Sequence, residues 1–126
     1  MPLVESRGFS FDIDTFAGAL SPKTKLVILN SPGNPTGSVY SRDELRALAE
    51  VALEEGILML SDEIYEKITY DHTEFVSLAA LGKEMYDLTI TVNGFSKAYS
   101  MTGWRLGWLV LPPALVPAVE KLAFLS

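Results

Sequence analysis

Three short apolar runs, each followed at once by polar and turn-forming residues, constrain this chain more than any other feature. They are Leu26–Leu29 (LVIL), Ile57–Leu60 (ILML) and Leu88–Val92 (LTITV). Each is near-continuous rather than alternating, which predicts strands covered on both faces, as in parallel sheets. A well-marked helix lies between the first two. Ser41 and Glu44 form a capping box, Leu45, Leu48, Ala49 and Ala52 make one apolar stripe, and Gly56 ends the helix. Residues 26–60 thus read strand, helix, strand, with a parallel crossover. A short helix is expected over Ile13–Leu20, with Asp12 or Asp14 near its start, and a further strand over Arg105–Leu111. The connection into that last strand shows no amphipathic helix, which leaves it free to run antiparallel. Pro112 and Pro113 open a final helix with Leu115, Val119, Leu122 and Ala123 as its apolar face; Pro117 blurs where it begins. The expected fold class is α/β: three layers, a mostly parallel sheet with flanking helices.

Composition narrows the function. The chain has 126 residues, which suits one domain of ordinary size. Lys and Arg number 10 against 16 Asp and Glu, a net charge of −6, which argues against a nucleic-acid partner. There is no cysteine and only one histidine, so neither a disulfide framework nor a transition-metal site is expected. His72 sits in the polar stretch Tyr70–Glu74 and reads as a loop residue. No apolar run approaches the ~20 residues of a membrane span. Met1 to Gly8 lacks the apolar core of a signal peptide, so a cytoplasmic location is the default expectation.

Ligands of open α/β sheets bind beyond the carboxyl ends of the strands. After the first run comes NSPGNPTG (30–37), after the second SDEIY (61–65), and after the third NGFSK (93–97). Singly, each has an ordinary explanation: a turn-rich loop, a helix cap at Asp62 with Tyr65 as a packing ring, a solvated Lys97, an ion-paired Arg105. Together they gather an amide, a carboxylate, a phenol and an amine at one sheet edge. A lysine amine can form a Schiff base with an aldehyde, and a carboxylate can keep a pyridine nitrogen protonated so that the ring acts as an electron sink. A phenol and an amide can bond a ring oxygen, and an arginine can clamp a phosphate. That inventory describes pyridoxal phosphate.

NSPGNPTG (30–37), SDEIY (61–65) and NGFSKAYSMTGWRLGW (93–108), with the flank ITYDHTEFVSLAAL (68–81), resemble the class I/II aminotransferases of the aspartate aminotransferase fold. The likeness runs from about Phe9 to the C-terminus. The resemblance implies a cofactor, pyridoxal 5'-phosphate, and roles for named residues. Lys97 would carry the Schiff base and then move the proton at the substrate α-carbon. Asp62 would pair with the pyridine nitrogen. Asn34 and Tyr65 would bond the ring's phenolic oxygen, lowering the pKa of the Schiff base by favouring its deprotonated form. Arg105 would bind the phosphate with help from Ser96. Many family members also carry a serine three residues before the lysine, where this chain has Gly94. A cis bond before Pro35 is implied as well.

Family members are much longer. They carry an earlier glycine-rich phosphate-binding segment, a stacking aromatic residue, a C-terminal domain with a carboxylate-gripping arginine, and a tyrosine lent by a second subunit. On that likeness, residues 1–126 are expected to be the central part of the large cofactor-binding domain, a fragment with no second domain. The isolated chain is expected to be inactive and sticky, and the full-length protein a homodimer. The implied activity is transfer of an amino group between an amino acid and a 2-oxo acid, with no nucleic-acid or membrane partner. Two alternatives stand beside it: a pyridoxal-phosphate-dependent lyase on the same fold, and an aminotransferase-like sensor domain of a transcription regulator.

Overall fold

The computed structural model describes residues 3–123. Four strands, β1 (Leu26–Asn30), β2 (Leu58–Asp62), β3 (Thr89–Gly94) and β4 (Gly107–Val110), form one sheet in the order β1-β2-β3-β4. β1, β2 and β3 are parallel, and β4 runs antiparallel to β3. The helices are α1 (Ile13–Ala19), α2 (Arg42–Glu55), α3 (Lys83–Leu88) and α4 (Val116–Ala123). The expected α/β class, with its mostly parallel sheet and one antiparallel strand, is the observed one.

The caps form as the side-chain chemistry dictates. Asp12 accepts the Thr15 N–H at the start of α1. At α2, Ser41 accepts the Glu44 N–H at 3.3 Å while Glu44 takes back the Ser41 N–H at 2.7 Å. Glu44 also accepts from the Ser10 hydroxyl, tying the N-terminal loop to this helix. Gly56 adopts the left-handed conformation that ends α2, and the Ile57 N–H closes on the Ala52 carbonyl at 2.9 Å. Ile57 therefore belongs to the helix terminus, and β2 begins one residue later than the apolar run.

The stripe Leu45, Leu48, Ala49 and Ala52 is buried against Leu29 and Met59 of the sheet, with Phe11, Phe16, Leu78 and Met85 completing the core. Each fully buried Leu or Met contributes about 1.5–3 kcal/mol. The opposite face of the sheet is covered only in part. Leu58, Leu60, Ile90 and Val92 are half-buried, and Ile28 is 69% exposed. The continuous apolar runs thus describe two greasy faces, of which one is packed by the described helices.

Three boundaries differ from the sequence reading. Leu88 closes α3, a helix the sequence did not announce; Thr89 Oγ1 donates to the Met85 carbonyl at 2.7 Å, and β3 then extends to Gly94. The expected strand over Arg105–Leu111 contracts to Gly107–Val110, because Arg105 takes a left-handed conformation (φ 54°) that no strand accommodates. The final helix starts at Val116, after a 3-10 turn at Pro113–Leu115. Of its expected apolar face, Leu115 and Val119 are half-buried whereas Leu122 is 68% exposed.

Candidate active site

The parallel register sets Asn30 beside Asp62, and Asp62 beside Val92, so the segments that follow β1, β2 and β3 emerge at one edge. β4 reaches the same edge from the opposite direction. Gly94 pairs with Gly107, which brings Arg105, two residues before β4, to the end of β3. Three strand ends and one strand beginning therefore share the edge that the sequence singled out.

Two of the expected partners meet directly. Asn34 Nδ2 donates to Tyr65 Oη at 3.2 Å. Lys97 Nζ stands 5.7 Å from the centroid of the Tyr65 ring, within cation–π range. Asp62 is half-buried, and its Oδ1 accepts the Ile64 N–H at 3.2 Å, which fixes the turn that presents Tyr65. Asn30 joins the two sides: its Oδ1 accepts the Asn34 N–H at 2.9 Å and its Nδ2 donates to the Asp62 carbonyl at 3.2 Å. The loop around Asn34 is held by Gly33 N–H to the Ser38 carbonyl and Gly37 N–H to the Gly33 carbonyl, both 2.8 Å. Both Ser31–Pro32 and Asn34–Pro35 are cis.

Ser96 and Arg105 are brought to the edge without joining this network. Ser96 is half-buried next to Lys97. Arg105 is exposed, and its guanidinium donates to the Thr102 carbonyl of its own turn at 3.3 Å. Gly94 has a steric explanation. A Cβ there would lie 3.0 Å from the Leu106 carbonyl oxygen, 3.2 Å from Ile64 Cδ1 and 3.3 Å from Gly107 Cα. A side chain at this position, such as the serine that the family resemblance suggests, would crowd the start of β4.

A cleft of about 540 Å3 opens between the Asn34 loop and the segment carrying Tyr65, Ile68 and Tyr70. A second, of about 470 Å3, lies on the other side of the same loop, against Ile28 and Tyr40. Lys97 and Arg105 line neither and stand on open surface. Among the described residues, no group of three or more His, Asp or Glu is gathered as for a metal, and no helix is long and apolar enough to cross a membrane.

Sequence reasoning passed over Glu63. It is only 3% exposed, and its Oε1 accepts from Ser61 Oγ at 3.0 Å and Ser77 Oγ at 2.8 Å. Burial pushes its carboxyl above the usual range, and the two hydroxyls oppose that rise. Strand alternation carried the signal: Met59, Ser61 and Glu63 are successive inward positions. The bridging role of Asn30 was also unread, although its place at a strand end was visible.

The edge offers a primary amine beside a phenol, a half-buried carboxylate and two amides. Such a set can capture an aldehyde and hold a polar aromatic ring. A sequence model of the family described as "Aminotransferase class I and II" matches residues 1–124. An aspartate aminotransferase of Geobacillus stearothermophilus is 46% identical over 120 residues, covering 95% of this chain and 30% of that protein. A probable aspartate/prephenate aminotransferase of Aquifex aeolicus is 41% identical over 97% of this chain and 31% of its own length. Among solved structures, an aromatic aminotransferase of Pyrococcus horikoshii superposes with a TM-score of 0.92 at 39% identity, over 96% of this chain and 32% of that one. The chain thus spans about a third of the length of the relatives it matches.

Proposed function

Because the chain belongs to the class I and II aminotransferases, we propose that its strand-end residues hold pyridoxal 5'-phosphate in a protein that moves an amino group between an amino acid and a 2-oxo acid. The observation that carries this reading is the Asn34–Tyr65 hydrogen bond beside the Lys97 amine. The donor set fits the group: an amine for the aldehyde, a carboxylate for the ring nitrogen, an amide and a phenol for the ring oxygen. When bound, the cofactor supplies an electron sink for a carbanion. Lys97 Nζ would be the amine that holds the cofactor's aldehyde and, when free, the base that would carry a proton at the substrate α-carbon. The Asp62 carboxylate holds a proton on the pyridine nitrogen. Asn34 Nδ2 and Tyr65 Oη donate to the ring oxygen. The exposed Arg105 guanidinium would hold the phosphate, with help from the Ser96 hydroxyl.

Residues 1–126 then form the central part of the large cofactor-binding domain of a cytoplasmic homodimer with no nucleic-acid or membrane partner. Relatives named for aspartate, aspartate/prephenate and aromatic substrates share this segment. That breadth supports a segment serving the common chemistry rather than the choice of side chain.

The test is borohydride reduction of the full-length protein with pyridoxal 5'-phosphate, then peptide mapping and an amino-transfer assay. A label on Lys97 with 2-oxo-acid-dependent amino transfer supports the reading. A label elsewhere, or release of ammonia without an amino acceptor, refutes it.

A further inference from the structure

We propose that Asn30 is a positioning residue that locks the ring-oxygen contacts to the ring-nitrogen contact, an inference that rests on the cofactor reading above. Its side chain ties the Asn34 turn to the end of β2, beyond the point at which the sheet pairing ends at Asn30 and Asp62. Oδ1 accepts the main-chain N–H of Asn34, and Nδ2 donates to the main-chain carbonyl of Asp62. Of the other main-chain bonds of the 30–37 loop, the Ser31 N–H to the Asp62 carbonyl at 3.3 Å ties only the loop's first turn to β2, while Gly33 to Ser38 and Gly37 to Gly33 run within the loop. None of them takes up the N–H of Asn34, which Asn30 alone accepts.

The bonds close into a circuit. Asn30 grips Asp62, the Asp62 carboxylate holds the Ile64 N–H, the next residue is Tyr65, Tyr65 Oη accepts from Asn34, and Asn34 returns to Asn30. A planar amide offers a donor and an acceptor on two separate atoms of one short arm. An aspartate keeps the acceptor alone, and a leucine keeps neither. The amide's orientation is fixed at both ends, since the Asn34 N–H can only donate and the Asp62 carbonyl, which also takes the Ser31 N–H, can only accept. Asn34 itself is exposed, so without Asn30 its place depends on the tyrosine contact. Asn30 touches neither reacting atom; it acts through Asn34 and Asp62.

The experiment uses the full-length protein and two readouts. The first, without cofactor, is hydrogen exchange at the Asn34 amide, resolved by fragmentation mass spectrometry. Asn30→Ala should speed it roughly fivefold, the worth of one ordinary hydrogen bond, with α2 amides unchanged. The second is the pH midpoint of the visible absorbance change of the pyridoxal-phosphate-loaded protein. Asn30→Ala should raise it, and Asn30→Ala with Asn34→Ala should raise it by less than the sum of the two single shifts, because both weaken the Asn34 contact. Unchanged exchange at Asn34, or additive midpoint shifts, would overturn the proposal. If Asn30→Ala loses α2 protection as well, Asn30→Asp decides. Its carboxylate still accepts from Asn34, so protection there should survive, and its loss would overturn the proposal. Absence of any cofactor absorbance in the unmodified protein would sink the cofactor reading, while the exchange arm still judges Asn30.

Discussion

Replacing Gly94 with alanine would place a methyl carbon 3.0 Å from the Leu106 carbonyl oxygen and 3.3 Å from Gly107 Cα. Relaxed carbon–oxygen contacts start at roughly 3.3 Å, so a backbone shift of about 0.3 Å is required. The third neighbour, Ile64 Cδ1 at 3.2 Å, is the end of a flexible side chain and can rotate away. Overpacking of this kind costs about 1–3 kcal/mol, while the stiffer unfolded chain returns about 0.4–1 kcal/mol. All four residues of β4 are exposed, so that strand can yield, which places the net cost near 1 kcal/mol, at the low end of the overpacking range. Urea unfolding should therefore show a lower midpoint with unchanged slope. Gly103→Ala is the control, since a Cβ there meets nothing within 4 Å; it should keep only the unfolded-chain gain of about 0.4–1 kcal/mol. Equal costs for the two alanines, or a Gly94→Ala protein as stable as the parent, would refute the steric argument.

Glu63→Gln tests the buried carboxyl. Burial raises its pKa in the folded state, so its contribution is present below the unfolded value and lost as pH rises through the raised one. Thermal midpoints from pH 4 to 8 should fall less steeply for the glutamine variant; an identical pH slope would count against this. Leu48→Ala should lose about 2–5 kcal/mol in denaturant unfolding, since Leu48 is 1% exposed in the core against the sheet. Ser41→Ala should cost about 0.5–2 kcal/mol in the same assay through loss of the cap on α2.

The sequence was most legible where local chemistry and periodicity agreed. The Ser41–Glu44 box, the four-residue stripe and Gly56 placed α2 nearly to the residue. The polar groups after each apolar run foretold the meeting of Asn34 and Tyr65, since parallel strands must end together. α3 stayed hidden because its six residues bury only Met85, too little for a 3.6-residue period to show. Arg105 was read into a strand because RLGWLVL is almost unbroken in apolarity. Nothing local announces its left-handed conformation. Gly94 looked like a missing hydroxyl, and its reason is a carbonyl twelve residues away along the chain. Glu63 went unread because the alternation that turns it inward runs one residue beyond the end of β2.

The antiparallel pairing of β4 also has a consequence in time. The edge needs Asn30 at one extreme of the chain and Arg105 at the other, and Arg105 arrives only when residues 107–110 dock on β3. A nascent chain can pair β1 with β2 and seat α2 long before that. The candidate site would thus be among the last things this segment finishes during synthesis. A ligand gripped by residues from both sides of that junction would favour the docked edge over the frayed one by simple mass action. Capture of the ligand and completion of the sheet would then be two readings of one equilibrium.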